Sequence, residues 1–303
     1  RKRDRSEAGN FSEHSGRRGA VIREGKMRFR EICREGEKRL AAAGIPDAAV
    51  DAWYLMEFVT HKSRAQFLLC REDEMPEPER EKYMALIERR ASHIPLQQIT
   101  GEQEFMGFSF MVNDSVLIPR QDTEILVEEA CRRTRPGMRV LDLCTGSGCI
   151  IISLAKLCPG IRAEASDFSG EALQVARENG ARLGVQIKWH KGDLFSEIQD
   201  RYDVIVSNPP YIPTAQIQTL SEEVRLHEPY QALDGKEDGL YFYREIAGRA
   251  KHYLKPEGWL LFEIGWDQAP EVKEILKKSG FSEIQVKKDL AGLDRVVSGK
   301  MKQ

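Results

Sequence analysis

Val140-Leu141-Asp142-Leu143-Cys144-Thr145-Gly146-Ser147-Gly148-Cys149-Ile150-Ile151-Ile152-Ser153-Leu154-Ala155 passes from an apolar strand, through a loop with two glycines, into an apolar helix. Strand followed by helix is the unit from which parallel sheets are built. The same rhythm repeats outward. Residues 162–167 read as the next strand and 170–183 as the next helix, and 186–190 and 202–207 as two further strands. Beyond a long irregular segment, residues 241–253 are helical, 259–264 form a strand and 269–278 a helix. Two β-rich runs, 281–286 and 295–297, stand close enough in sequence to form an antiparallel edge. The expectation for residues 120–303 is therefore α/β: a doubly wound, mostly parallel, seven-stranded sheet with helices on both faces.

In such a sheet ligands bind beyond the carboxyl ends of the strands, where glycine lets backbone come close to a ligand. Cys144-Thr145-Gly146-Ser147-Gly148 occupies that position after the first strand. Asp167 ends the next strand about twenty residues on, where a carboxylate can accept from two ribose hydroxyls. Asp193-Leu194-Phe195 follows the third strand and offers a carboxylate with apolar cover for an adenine ring. Ser147 as a helix cap and Asp167 and Asp193 as surface or turn residues form the plainer alternative. A dinucleotide site would carry a third glycine, but Ile151 stands there.

Asn208-Pro209-Pro210-Tyr211 follows the apolar run Tyr202-Asp203-Val204-Ile205-Val206-Ser207. Neither proline can donate to a ladder, so the backbone leaves the sheet stiffly at Asn208. The Asn208 amide and the Pro209 carbonyl offer acceptors to a planar NH₂, with the Tyr211 ring beside them. Pro-Pro after a strand can also be only a turn. An adenosine-type ligand next to an amide-gripping corner points to methyl transfer from S-adenosylmethionine to a planar nitrogen.

Upstream, residues 1–26 are charged and rich in glycine and serine, the composition of a flexible tail. Residues 27–94 carry apolar residues three and four apart, broken at Gly44-Ile45-Pro46-Asp47 and Met75-Pro76-Glu77-Pro78. They predict a small helical bundle with Trp53 and Phe58 in its core, suited to docking a substrate. Residues 95–119 alternate about a glycine and predict a β-hairpin connector. Its aromatics, Phe105 among them, either wall an active site or seal the domain junction; Arg120 follows at the end of Val116-Leu117-Ile118-Pro119-Arg120.

Of 303 residues 41% are hydrophobic and 31% charged, and 46 Lys and Arg stand against 48 Asp and Glu. That balance lacks the basic excess of a dedicated nucleic-acid binder. The opening residues have no apolar signal core, and no apolar run is long enough to span a bilayer. Six cysteines occur without paired spacing, which suggests neither a zinc site nor a disulfide framework. A cytoplasmic protein with no metal and no membrane partner is expected.

Four of these stretches together carry a family resemblance. Pro95-Leu96-Gln97-Gln98-Ile99-Thr100-Gly101, Val116 to Arg120, Asp142 to Gly148 and Asn208 to Tyr211 resemble the HemK-like protein-glutamine methyltransferases that modify peptide chain release factors. The resemblance covers residues 27–303 and implies a class I, Rossmann-like methyltransferase domain. It implies S-adenosylmethionine as donor and the glutamine of the Gly-Gly-Gln loop of class I release factors as substrate, hence a role in translation termination. Asn208, Pro209 and Tyr211 are then the catalytic candidates, with Pro210, Phe105 and Arg120 joining them at the substrate. Cys144, Thr145, Gly146, Ser147, Gly148, Asp167, Asp193, Leu194 and Asn208 are the donor-binding candidates. A monomer without direct nucleic-acid binding is expected. Three positions depart from the family pattern: Cys144 where glycine is usual, Gln121 where proline commonly follows Pro-Arg, and Leu194 where some members carry an aromatic. The rival readings are an adenine amino-methyltransferase acting on nucleic acid, which shares Asn-Pro-Pro-Tyr, and a donor-binding module without catalysis.

Overall fold

The computed structural model of the protein describes residues 27–302, so the tail expected at 1–26 lies outside the described residues. Five helices come first: α1 (Phe29–Ala42), α2 (Ala48–Thr60), α3 (Arg64–Cys70), α4 (Glu77–Ala91) and α5 (Leu96–Thr100). Ile32, Leu40, Leu55, Met56, Tyr83 and Ile87 interlock as one buried cluster. Each such side chain contributes about 1.5–3 kcal/mol on leaving water, so this cluster rather than helix propensity holds the short helices. Trp53 and Phe58 are not in that core. The buried stripe of α2 runs through Ala48, Ala52, Leu55, Met56 and Val59, and both aromatics flank it, partly buried against the cluster. At this rim Trp53 meets Phe67 edge-on, and the Arg64 guanidinium lies over its ring.

Residues 96–100 are helical, where the sequence suggested the approach to a hairpin. Pro95 precedes α5, Gly101 ends it at φ 82°, and Ile99 joins the apolar cluster of the preceding helices. The expected hairpin follows as β1 (Glu102–Phe105) and β2 (Phe108–Met111), paired antiparallel about Met106 and Gly107 at φ 52° and 77°. Two positive φ values match the right-handed twist of the flanking strands.

The sheet comprises β3 (Arg139–Leu143), β4 (Arg162–Asp167), β5 (Ile187–Lys191), β6 (Tyr202–Ser207), β7 (Leu254–Glu263), β8 (Phe281–Lys288) and β9 (Asp294–Met301). Its helices are α6 (Glu124–Arg133), α7 (Cys149–Leu157), α8 (Gly170–Arg182), α11 (Tyr241–Ala250) and α12 (Ala269–Lys278), with short α9 (Glu222–His227) and α10 (Tyr230–Leu233) between β6 and α11. The strand order is β5-β4-β3-β6-β7-β9-β8, parallel except that β9 runs against both of its neighbours. The doubly wound sheet is as expected. The closing strands do pair antiparallel, but the last one lies inside the sheet. Val296, Val297 and Ser298 of β9 are buried, whereas β8 alternates and exposes Glu283, Lys287 and Lys288. The strand buried on both faces takes the inner place, and the charged one guards the edge.

From β3 the chain first builds outward through β4 and β5, then returns to add β6 on the other side. The crevice at such a reversal, beyond the carboxyl ends of β3 and β6, is where these sheets bind ligands. No helix among the described residues is long and apolar enough to cross a membrane.

Candidate active site

The turn after β3 is wound through three left-handed residues: Cys144 at φ 58°, Gly146 at 56° and Gly148 at 80°. Glycine suits position 148 on two counts: its φ of 80° strains a residue with a side chain, and a Cβ there would crowd Ile152 Cδ1 at 2.9 Å and Ala176 Cβ at 3.1 Å. The Gly146 amide donates to Asp167 Oδ2 at 2.8 Å, and the Ser169 amide to Asp167 Oδ1 at 2.9 Å. Burial pushes the Asp167 carboxyl above its ordinary range, and the donors of Gly146, Ser169 and Phe168 work against that. Each oxygen has a second lone pair, so Asp167 can still accept from a ligand's hydroxyls. Beneath the turn, Thr145 Oγ1 donates at 2.5 Å to Asp142 Oδ2. Asp142 is fully buried, and burial raises its pKa to about 8.

A strut that the sequence does not reveal braces this turn from behind. Asn179 of α8, fully buried, accepts from the Met111 amide at 2.7 Å and donates to the carbonyls of Met111 and Ser147, both at 3.0 Å. One side chain thereby fixes the hairpin to the glycine turn. A mid-helix asparagine reads as indifferent in sequence.

A cavity of about 500 Å³ opens at the crevice, within the range of roughly 300–1,000 Å³ typical of small-molecule pockets. Cys144, Thr145, Gly146, Ser147, Asp167, Asp193, Leu194, Asn208, Pro210 and Arg120 all line it. The structure thus brings together donor and substrate candidates that lie up to 90 residues apart in sequence. An added Cβ at Gly146 meets no protein atom within 4 Å, so the space beside this backbone is open to a ligand. With the Asp167 acceptors and the apolar Phe168 and Leu194, these residues fit an adenosine-bearing donor.

Four candidates stand off the wall. Gly148 faces Ile152, Ala176 and Trp189, and Pro209 is buried behind Pro210. Phe105 needs correcting: it is 1% exposed and packs edge-on against Phe110 in the core with α6 and α7. Its position on the strand turns it inward, so it seals the hairpin. Tyr211 packs against the core beside β7, and burial pushes its phenol up. Its ring is therefore not a face on the cavity.

Several wall residues escaped the sequence reading. Phe168, directly after Asp167, is 66% exposed at the cavity. An aromatic beside the strand-end acid was a signal that could have been read. Pro229, Tyr230 and Gln231 come from the irregular segment after β6, where no periodicity announced them, and Tyr241 and Phe242 open α11, a helix that the sequence predicts without showing which of its side chains face the cavity. Arg120 Nη2 donates at 2.6 Å to Glu228 Oε1, anchoring this segment. Burial raises the Glu228 pKa, and Arg120 opposes the shift. On its other side α9 meets the helical region, where Gln98 Nε2 donates to the His227 carbonyl at 2.7 Å and Arg90 pairs with Glu223 at 3.1 Å.

At the corner itself, Ser207 lies between Leu143 and Phe262 in the ladders, which sets Asn208 beside Glu263 at the end of β7. Glu263 is 2% exposed. Burial raises its pKa to about 7, opposed by Thr123, Arg295 and Asn208 and reinforced by Asp122. A carboxyl that faces the Asn208 amide from behind can hold its NH₂, leaving the amide oxygen free to accept at the cavity.

Comparison with known proteins places the chain by family and fold. The family model described as the PrmC N-terminal domain matches residues 31–101, and that described as the methyltransferase small domain matches residues 121–236. The chain is 42% identical over 263 residues to the release factor glutamine methyltransferase of Geobacter sulfurreducens, covering 86% of this chain and 93% of that protein. It is 41% identical over 270 residues to that of Agrobacterium fabrum, with the same coverage, 86% and 93%. Among solved structures, a methyltransferase from Pyrococcus furiosus shares the fold with a TM-score of 0.52 at 17% identity, over 71% of this chain and 99% of that one.

Proposed function

This chain belongs to the family of release factor glutamine methyltransferases, and we propose that it methylates the side-chain amide nitrogen of the glutamine in the Gly-Gly-Gln loop of class I peptide chain release factors. The observation that carries this reading is the single cavity wall on which Asp167 and the glycine turn meet Asn208. S-adenosylmethionine, when bound, supplies an electrophilic methyl on a positively charged sulfur. Cys144 to Ser147, Asp167, Phe168, Asp193 and Leu194 would hold it, the Asp167 carboxylate accepting from hydroxyls and the apolar side chains covering the base.

An amide nitrogen is a weak nucleophile because its lone pair is delocalised into the carbonyl. The protein's task is therefore alignment, which can lower a barrier by roughly 7–11 kcal/mol. Asn208 presents an acceptor to the NH₂ from the wall, and in this reading the Pro209 carbonyl, set back from the wall, supplies a second, fixing the rotation of the NH₂ and favouring the charge that develops on nitrogen. Glu263 steadies the Asn208 amide from behind. Pro209 and Pro210 together stiffen the backbone that carries both acceptors. Substrate access lies past Tyr230 and Tyr241, whose rings are exposed at the mouth of the cavity. A release-factor substrate is met in the cytoplasm, and we take the enzyme to act there as a monomer.

The test is incubation of the purified protein with isotopically labelled donor and, in separate arms, a release factor, the same factor with its loop glutamine replaced, and DNA. Label in the first arm alone supports the reading. Label in DNA supports the adenine amino-methyltransferase, and label in none supports a donor-binding module.

A further inference from the structure

Two prolines fix only one side of the Asn208 corner. Rotation at Pro210 and Tyr211 would still let Asn208 and the Pro209 carbonyl swing, unless something holds the chain beyond them. We propose that Gln268 is a positioning residue for methyl transfer, pinning the exit of Asn208-Pro209-Pro210-Tyr211 from the start of α12.

Gln268 caps α12 and is 9% exposed, far from Asn208 in sequence. Its Nε2 donates to the Tyr211 carbonyl at 3.0 Å and to the Gly239 carbonyl at 3.4 Å. Its Oε1 accepts from the Gly265 amide at 2.9 Å and from the Tyr243 hydroxyl at 3.3 Å. Tyr243 in turn also reaches the Glu263 carbonyl at 3.0 Å. One amide thus uses donor and acceptor ends together, joining β7 and α11 to the backbone of Tyr211.

The fit around Tyr211 is close enough to need this clamp. A Cβ on Gly235 would lie 2.7 Å from the Tyr211 backbone. The Ile212 amide donates to Leu233 and the Gly235 amide to Ile212, at 3.1 and 2.8 Å. Residues 211–214 and 233–239 therefore form one stitched layer, and Gln268 is the side chain that ties it to the sheet. Without its Nε2, the partly buried Tyr211 carbonyl and the buried Gly239 carbonyl lose this donor, and a buried acceptor without a partner drives local rearrangement.

The proposal rests on the reading of Asn208 above, so its test has two readouts. Gln268→Leu keeps the bulk and removes all four hydrogen bonds. Its single-turnover rate on a release factor should fall about 10²-fold, the scale of a misplacement near 1 Å, while donor affinity measured by calorimetry stays within about twofold. Amide hydrogen exchange should rise in residues 209–216 and 233–240 and not in β3 or β4. An unchanged rate, an equal loss of rate and donor affinity, or unchanged exchange in both segments would each overturn the proposal. Gln268→Glu covers the case in which the leucine variant does not fold. Its carboxylate would face two carbonyl oxygens, which with burial raises its pKa, and only the protonated acid can donate. Its rate relative to the parent should therefore recover as pH falls from about 8 to 6; a ratio constant with pH overturns the proposal. If the parent itself methylates no release factor, the functional reading fails, and hydrogen exchange alone decides the clamp.

Discussion

The Gly146 amide lies 2.8 Å from Asp167 Oδ2, so the carboxylate that ends β4 holds the turn that ends β3. Asp167 is therefore a strut as well as the acceptor we propose for the donor's hydroxyls. Asp167→Ala should weaken donor binding roughly tenfold to a hundredfold, for hydrogen bonds to a charged group are worth about 1.5–3 kcal/mol. It should also lower stability by about 1–3 kcal/mol, since the amides of Gly146 and Ser169 lose their acceptor. Asp167→Asn keeps an oxygen at the site and should lose less of both. Calorimetry with the donor and urea denaturation measure the two effects; full donor affinity in a folded alanine variant would remove Asp167 from the site.

Asn208→Ala should reduce single-turnover methyl transfer to a release factor by about 10²–10³, the usual loss for one preorganised group, with donor affinity largely kept. Asn208→Asp sets a second carboxyl beside Glu263. Like charges at that distance oppose each other's ionisation, so the deficit of the aspartate variant should deepen as pH rises above about 7. A parent-like rate in the alanine variant would reduce the corner to a turn.

Cys144 holds φ 58° with a Cβ, a conformation that costs an L-residue roughly 1–2 kcal/mol. Cys144→Gly and Cys144→Ala both lose the sulfur, but only glycine relieves the strain. Its larger entropy in the unfolded chain takes back about 0.5–1 kcal/mol. The glycine variant should then exceed the alanine variant by about 1 kcal/mol in urea denaturation. Equal midpoints and slopes would show that this turn carries no strain.

Glu263 has a folded-state pKa raised by burial from 4.5 to about 7. The folded state therefore keeps a proton that the unfolded state has already released. Its contribution to stability is intact below about pH 4.5 and is lost as pH rises through about 7. In Glu263→Gln this dependence disappears. Relative to the parent, the variant should gain about 3 kcal/mol between pH 4.5 and pH 8. Denaturant titrations at both pH values test this, and a difference that does not move with pH refutes it.

The sequence by itself determined whatever depends on local pattern. Apolar runs of four to six residues alternating with helical periodicity specified a doubly wound sheet. The glycines at 146 and 148, Asp167 at a strand end and the paired prolines after Asn208 marked both halves of the cavity, because breakers and strand ends are local events. Tertiary structure alone decided what depends on facing and on distant partners. Phe105 lies in the core because the alternation of β1 turns it inward, whereas Phe168 faces the cavity because it stands in the bend just past the end of β4. The place of β9 inside the sheet followed from burial on both of its faces, which only its neighbours create. Asn179, Glu263 and Gln268 look unremarkable in sequence, since each matters through backbone groups or side chains brought to it from elements far along the chain. Chain order specifies periodicity and breaks; which polar group meets which is settled only when the buried backbone must find its hydrogen-bond partners.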